Sequence, residues 1–525
     1  MQEPAGGRWK QFAALAAFIV VAGAESIRLG QDGNWDLKNY HYYNVYAWLT
    51  GRLAWDVAPA MIQSYHNPLL DLPFYWLVQA GAPPRVISFL MAASTGIAAF
   101  FLLRIAAVLF PRGIEDRRLW IGLAVAVGIT GAAGRAVIGS TMNEWPPAAL
   151  LIAAVSVLAS ASARREGPSL RALALAGVLA GLAVGGKLTY GMYAPALVIA
   201  MMSFGTLRER AARGFALGCF IVAGFLAAYG FWGAVLYREF ANPFFPYFND
   251  IFKSPYWEPI AFFDRNYGPR TVLHWIFFPF YFAWQSRLVG EIGFRDGRFA
   301  TLFVLAGACA IRYAMKRRAH PVIAQTDPLA NAWRLVAVFT LVAYLTWLKM
   351  FGIFRYLVPV EMLTGPLIVW CALYLIPGAK ARRWAVAILA VLVIASTHKG
   401  SWGRLEYGKT YFDVGVPQLP PDSLVIVSVR HPMAYIIPFL RPDARFVSPS
   451  NSFLHLGQTN LLAKRVDELI ETHKGPLYSL DFHDQDDTVV ALNHYRLALD
   501  MASCQGIRSN LDSSAMRLCR LGRKR

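Results

Sequence analysis

Apolar runs of roughly 17–20 residues recur along this chain as far as about residue 398, and short clusters of Arg and Lys separate them. Few other features restrict a fold so strongly. A helix of about 20 apolar residues matches the hydrocarbon thickness of a bilayer. In lipid, every backbone N–H and C=O must bond within the protein, so each such run is helical. The 525 residues are 56% hydrophobic and only 16% charged, below the roughly 25% of a soluble domain. Mean hydropathy is +0.39. The net charge of +19 could suit nucleic acid. However, the basic residues sit between apolar runs, the pattern of cytoplasmic loops in a membrane protein, which argues against a nucleic-acid partner.

The clusters Arg8/Lys10, Arg112/Arg117/Arg118, Arg164/Arg165/Arg171, Arg208/Arg210/Arg213, Lys316/Arg317/Arg318 and Lys380/Arg382/Arg383 are expected on the cytoplasmic side. Spans are then expected near 11–29, 86–110, 119–138, 145–162, 171–186, 190–205, 214–237, 299–314, 334–351, 356–377 and 384–397. That is about eleven, with a cytoplasmic N-terminus and a retained first helix rather than a removed signal peptide. The run "TVLHWIFFPFYFAWQ" at 271–285 is short and holds His274 and Pro279. Counting it as a span would put "MKRRAH" outside, so it reads as a re-entrant or interfacial element.

Composition changes near residue 399. "DSLVIVSV", "ARFVSPS" and "GPLYSLDF" read as strands. "TNLLAKRVDELIETHKG" and "DTVVALNHYRLALDMA" read as helices. The expected organisation is a transmembrane domain, 1–398, with external loops 30–85 and 238–298, followed by a small extracytoplasmic α/β domain, 399–525. Cys219, Cys309 and Cys371 fall in apolar spans. In an oxidising compartment Cys504 and Cys519 are expected to pair; two buried thiols are the alternative.

This threading assigns a side to the polar residues. Asp36, His66 and Asp71 lie in the first external loop, Glu144 in the turn "GRAVIGSTMNEWPP", Lys187 in "GGKLTY", Asn242 and Tyr247 in "REFANPFFPYFND", and Arg355 and Tyr356 in "KMFGIFRYLVP". All fall on the outer face. Ionisable groups at a membrane boundary are costly and are functional candidates for that reason. Each also has a plainer reading. Asp36 can cap the helix that follows it. Glu144 can start its helix with a favourable dipole contact. Lys187 and Arg355 can snorkel at helix ends. His41 and His66 can belong to an aromatic belt, and residues 35–53 with their tyrosines read as an interfacial helix.

Together these segments resemble the GT-C superfamily of polytopic membrane glycosyltransferases, in the branch of aminoarabinose transferases and protein O-mannosyltransferases. Asp36 followed by "YHYYNVYAWLTG" and "SYHNPLLDLPFYWL" is similar to that family's first external loop. The turn with Glu144 resembles its second acidic site, "GGKLTY" its lysine turn, and "FRYLVP" its Arg-Tyr-x-x-Pro motif. Asp36 stands alone where many relatives carry an acidic pair, and His66-Asn67-Pro68 replaces Lys-Pro-Pro.

The resemblance implies a polyprenyl-phosphate sugar donor, a glycan, lipid or protein acceptor, and a bilayer; no cofactor is required, though a divalent metal is compatible. It implies a bacterial inner-membrane protein with its C-terminal domain in the periplasm. Asp36 is the candidate general base and Glu144 its assistant. Lys187 and Arg355 are candidates for the lipid phosphate. Tyr356, Tyr40, Tyr65, His66, Asn242 and Tyr247 are the remaining substrate-binding candidates, with Tyr65, Tyr247 and Tyr256 placed to stack on a sugar. A transporter or lipid flippase, or a non-catalytic assembly protein on the same scaffold, is the alternative. Transporters bury ionisable groups at the midplane and often carry repeats. Here the candidates gather at one edge and no repeat is evident.

Overall fold

The computed structural model describes residues 5–261, 266–319, 328–427, 430–482 and 486–524. The last two residues of the strand expected at 422–429, and His320 of "MKRRAH", lie outside them.

Seven described helices are long and apolar enough to cross a bilayer: Trp9–Leu29, Pro84–Leu109, Trp145–Ser162, Leu207–Phe240, Arg298–Met315, Pro328–Met350 and Phe354–Leu375. Their outward faces carry Val20, Val21, Phe215, Val222, Val304, Ile311, Leu341 and Leu345, all exposed. Apolar side chains in such numbers on helix exteriors are those of an integral membrane protein. The other expected spans are the shorter helices Arg117–Ile129, Leu170–Gly186, Tyr193–Met201 and Ala379–Ala395, so the structure counts seven full-length candidates where about eleven were expected.

Leu170–Gly186 makes the closest helix pairing, against Leu207–Phe240. Gly177, Gly181 and Gly185 recur every fourth residue on its contact face. A methyl group at Gly181 or Gly185 would strike the backbone of Ile221 or Phe225, and one at Gly177 the Phe220 Cβ, so the small residues let the two helices touch. Leu207–Phe240 has 34 residues, about 50 Å, and overshoots the bilayer. A capping box, Thr206 with Glu209, fixes its start. Its far end carries Trp232, Leu236 and Phe240 into a cluster with Tyr65 and the C-terminal sheet.

The segment 271–285 forms a helix over Val272–Trp284, interrupted by non-helical backbone at Phe277 and containing Pro279. Thirteen residues reach about 20 Å, short of the hydrocarbon thickness. Trp275, Phe280 and Trp284 stand exposed along it.

Beyond residue 399, a seven-stranded sheet runs in the order β3 (Val414–Gly415), β8 (Gln505–Ser509), β9 (Met516–Arg523), β6 (Leu477–Phe482), β4 (Leu424–Ile426), β5 (Arg445–Val447), with β7 (Leu497–Leu499) also on β9. The β5–β4–β6 portion is parallel and the rest antiparallel. Alternation along the strands gives the sheet two apolar faces. Leu424, Ile426, Val447 and Leu477 pack against the helix Leu461–Thr472 and the Tyr65 cluster. Val425, Phe446, Leu480 and Phe482 face the turn Ala434–Phe439 and the loop that follows the first helix. The helix expected over 487–502 is shorter: it ends at His494, Arg496 turns with φ 52°, and Leu497–Leu499 joins the sheet. A Cys504–Cys519 disulfide ties the start of β8 to β9.

Much of the stretch 35–53, expected as an interfacial helix, is instead enclosed by protein, although Trp35 and Leu49 stay exposed. Leu37, Tyr42, Tyr43, Val45 and Ala47 are buried beneath the C-terminal sheet. The Tyr42 ring packs among Phe74, Tyr75, Phe412 and Phe439. Aromatic density that suggested an interfacial belt instead fills a core between the helices and the sheet. A short ladder of β1 (Gln31–Asp32) with β2 (Arg404–Leu405) sets the end of the first helix beside the entry to that sheet.

Candidate functional site

Four segments far apart in sequence meet at one end of the helix bundle. Asp36 sits at the entry to the turn Leu37–His41, without a capping bond from its side chain. Glu144 precedes the helix Trp145–Ser162, where Pro146 suits the first turn, and its side chain caps nothing either. Lys187 follows Gly185 and Gly186, where the backbone leaves the helix for an extended conformation. Arg355 lies in the tight turn Phe354–Leu357. That turn is held on three sides: Trp347 Nε1 donates to Ile353 O, Phe354 N to Val289 O, and Tyr193 Oη to Tyr356 O.

The side chains form an alternating row of charges. Arg355 Nη1 donates to Asp36 Oδ2 at 2.7 Å, and its Nε lies 3.9 Å from Glu144 Oε1. Lys187 Nζ donates to Glu144 Oε1 at 2.6 Å and to Met142 O at 2.8 Å. Both cations also stand against the Tyr356 ring, Lys187 at 5.5 Å and Arg355 at 5.4 Å from its centroid, and Trp402 flanks Arg355 at 5.5 Å. Two polar atoms in this row, Arg355 Nε and Glu144 Oε2, are buried with no hydrogen-bond partner among the described residues. Unsatisfied atoms of this kind cost about 1–3 kcal/mol each, and here they mark bonding capacity unused by the protein.

Burial pushes the Asp36 carboxyl up, but the attraction of Arg355, His41 and Lys187 outweighs it and holds the group below the usual carboxylate range. Asp36 is therefore an anion at neutral pH. His66 goes the other way: burial lowers it to about 4, so its ring is neutral. Its Nε2 shares a hydrogen bond of 2.9 Å with Tyr247 Oη, and Tyr40 meets its ring edge-on at 5.2 Å.

Of the residues singled out from sequence, Asp36, Glu144, Lys187, Arg355, Tyr356, Tyr40, His66 and Tyr247 come together here. Tyr65, Asn242 and Tyr256 lie apart. The Tyr65 ring is enclosed by Phe240, Phe245 and Phe453. Asn242 is buried in its own loop, bonding Tyr247 O and Phe244 N and so shaping the turn that presents Tyr247. Tyr256 packs edge-on against Phe240.

The site also holds residues that sequence reasoning passed over. Asp71 was named among the loop's ionisable candidates and Asn143 lay inside a quoted motif, but nothing in the sequence paired them with His41, and the three come together from two loops. Tyr190, whose Oη donates to Glu144 O, and Trp402 carried no local signal.

The donor set does not suit a divalent metal. Among the described residues no three His, Cys, Asp or Glu side chains gather as ligands, and each acidic group in the row already has a cation of the protein beside it.

Fold and site thus define a polytopic membrane protein with a buried, alternating charge cluster where its helices meet the C-terminal sheet. No family profile matches the sequence, and no curated protein matches it. Among solved structures the chain is similar to the crystal structure of ArnT from Cupriavidus metallidurans bound to undecaprenyl phosphate, at 12% identity and a TM-score of 0.49, covering 99% of this chain and 98% of that one.

Proposed function

We propose that this protein is a membrane glycosyltransferase that moves a sugar from a polyprenyl-phosphate donor to an acceptor at the outer face of the membrane. The observation that carries this reading is the convergence of Asp36, Arg355, Glu144 and Lys187 into one buried row with unused bonding atoms at its centre. Breaking a glycosyl–phosphate bond requires a base for the incoming nucleophile and positive groups for the departing phosphate. A planar guanidinium suits phosphate oxygens, and Lys187 adds a point charge.

In this reading the arriving phosphate takes Arg355 and Lys187 from their carboxylate partners. Asp36 is thereby freed to accept the acceptor's proton, and Glu144 orients the acceptor. Tyr40, His66, Tyr247 and Tyr356 supply ring faces and neutral hydrogen bonds for a sugar. The outer-face assignment rests on the basic clusters at the opposite ends of the helices, and the disulfide in the C-terminal sheet fits an oxidising compartment. The test is transfer by the purified full chain of radiolabelled sugar from undecaprenyl phosphate to a bacterial envelope preparation. Counterflow of the intact lipid-linked sugar in liposomes without transfer would establish a flippase instead.

A further inference from the structure

Asp36 and Glu144 reach the charge row from different segments, and neither side chain caps the helix it precedes. Beside Asp36 the capping falls to Asn34. Its Oδ1 accepts from Leu37 N at 2.8 Å and its backbone O from Lys38 N at 3.2 Å. These two bonds fix the start of the turn Leu37–His41, which is a π-helix, and leave the Asp36 carboxylate to Arg355.

Asn34 is itself held by Asp32. Its Nδ2 donates to both Asp32 oxygens at 2.8 Å and to Thr141 Oγ1 at 3.1 Å. Thr141, three residues before Glu144, donates to Asp32 Oδ2 from its backbone N at 2.7 Å and from its hydroxyl at 2.9 Å. Asp32, Asn34 and Thr141 are buried, at 1%, 0% and 1% exposed. Among the described residues, every group that donates to the Asp32 side chain is neutral. Burying a carboxylate among neutral donors is costly. An Asn in its place would turn an NH2 group toward donors that need an acceptor, so only an acid serves both segments at once. Arg404 ties the same two segments a second time, from Nη1 to Gly30 O at 3.2 Å and from Nη2 to Ile138 O at 2.5 Å. The turn that carries Arg355 is held by other bonds, from Trp347, to Val289 and from Tyr193.

We propose that Asp32 is a positioning residue for sugar transfer: through Asn34 and Thr141 it fixes the Asp36 carboxylate against that of Glu144. The role rests on the glycosyltransferase reading. In that reading the acceptor lies between a base and a group that orients it, and a displacement of about 1 Å can cost about a hundredfold in rate. Asp32 touches neither substrate. Its effect falls on the relative placement of the two acids, and the Arg355 side of the phosphate site stays in place without it.

The test uses the full chain in lipid nanodiscs, with undecaprenyl phosphate carrying a radiolabelled hexose or aminopentose and bacterial envelope as acceptor. Binding of free undecaprenyl phosphate counts the folded sites, so kcat is expressed per site. Asp32→Asn is expected to lower that kcat about a hundredfold, with affinity for undecaprenyl phosphate unchanged. Thr141 tests the other side of the clamp should Asp32→Asn fail to fold. Thr141→Val removes the hydroxyl at similar volume and lowers kcat per site, and Thr141→Ser, which keeps the hydroxyl, restores it. A role confined to stability would reduce the number of sites and leave kcat per site at the wild-type value in every variant. That result overturns the positioning role and leaves the glycosyltransferase reading standing. Loss of lipid affinity in step with kcat overturns it too, because the clamp would then act on the phosphate site. No transfer by the wild type with either donor overturns that reading and this role together.

Discussion

Arg355 Nη1 lies 2.7 Å from Asp36 Oδ2, and 319 residues of chain separate the two. The bond ties the loop after the first helix to the turn that opens the helix Val358–Leu375. Both side chains are largely withdrawn from water, at 16% and 10% exposed. An ion pair in such a place is weak evidence for stability, because taking the two charges out of water costs about what their attraction returns. Its persistence is better explained by what each charge does when a ligand separates them.

Replacing one partner should therefore differ sharply from replacing both. Asp36→Asn is expected to reduce sugar transfer by about 10²–10⁴ while the protein still folds. Arg355→Met strands a carboxylate and should destabilise by about 3 kcal/mol. In the double variant the stability should largely return and transfer should not. Thermal unfolding in detergent, run beside the transfer assay, checks this. Strictly additive stability losses would show that the two residues do not interact.

In the proposed reading Lys187, paired with Glu144 at 2.6 Å, would act as a point charge on a phosphate that takes the place of Glu144. Lys187→Met removes a charged hydrogen bond worth about 1.5–3 kcal/mol, which predicts a donor KM raised about tenfold to a hundredfold. Binding of undecaprenyl phosphate itself, measured without acceptor, should weaken by the same factor. Unchanged lipid affinity would remove Lys187 from the phosphate site.

The membrane helices were legible because lipid imposes one simple demand, apolar length, that a run of sequence either meets or does not. The four charged residues that the structure brings together stood out in the sequence because charge at a membrane boundary is conspicuous. Residues 35–53 were not, because their tyrosines satisfy a bilayer interface and a protein core equally well. Only contact with Phe412 and Phe439, which lie far along the chain, decides between them. Tyr65 shows the same limit, its ring lying among Phe240 and Phe453. Trp402, Asp71 and Asn143 act through partners in other segments, and no local pattern encodes such pairings.

His66 makes a prediction in pH. Burial lowers its folded-state value to about 4, against an ordinary 6.5. Between those values the unfolded chain binds the proton and the folded chain does not, so stability rises with pH across that window and is lost as pH falls from about 6.5 toward 4. His66→Asn should flatten the fall in unfolding temperature over that window. A curve identical to the wild type would mean that other groups cause the acid loss. The contribution of Asp36 has the same sign but lies lower, below the ordinary carboxylate value, because its folded-state value is depressed.

The last prediction concerns how the C-terminal sheet holds the site. Asp56 is buried and accepts from Arg52 Nε and Nη2, from Tyr43 Oη and from the Phe446 backbone N, while Arg52 donates onward to Pro442 O and Ala444 O. Beside this knot, Val57 bonds Phe446 O and Ser448 N as one more rung on the edge of the sheet. The Asp56 carboxylate is thus one of several ties between loop and sheet, beside the Val57 rungs and the Lys38–Asp512 ion pair, and the π-helical turn with Asp36 and His41 hangs from the same loop. Asp56→Ala leaves Arg52 buried without its partner and should destabilise by about 3–5 kcal/mol. It should also open the 399–423 segment to protease and lower transfer through loss of order at Asp36. Replacing Arg52 and Asp56 together by Leu should restore much of the stability, since similar apolar volume replaces a desolvated pair. Wild-type protease resistance and transfer in Asp56→Ala would show that the sheet is held by apolar packing alone.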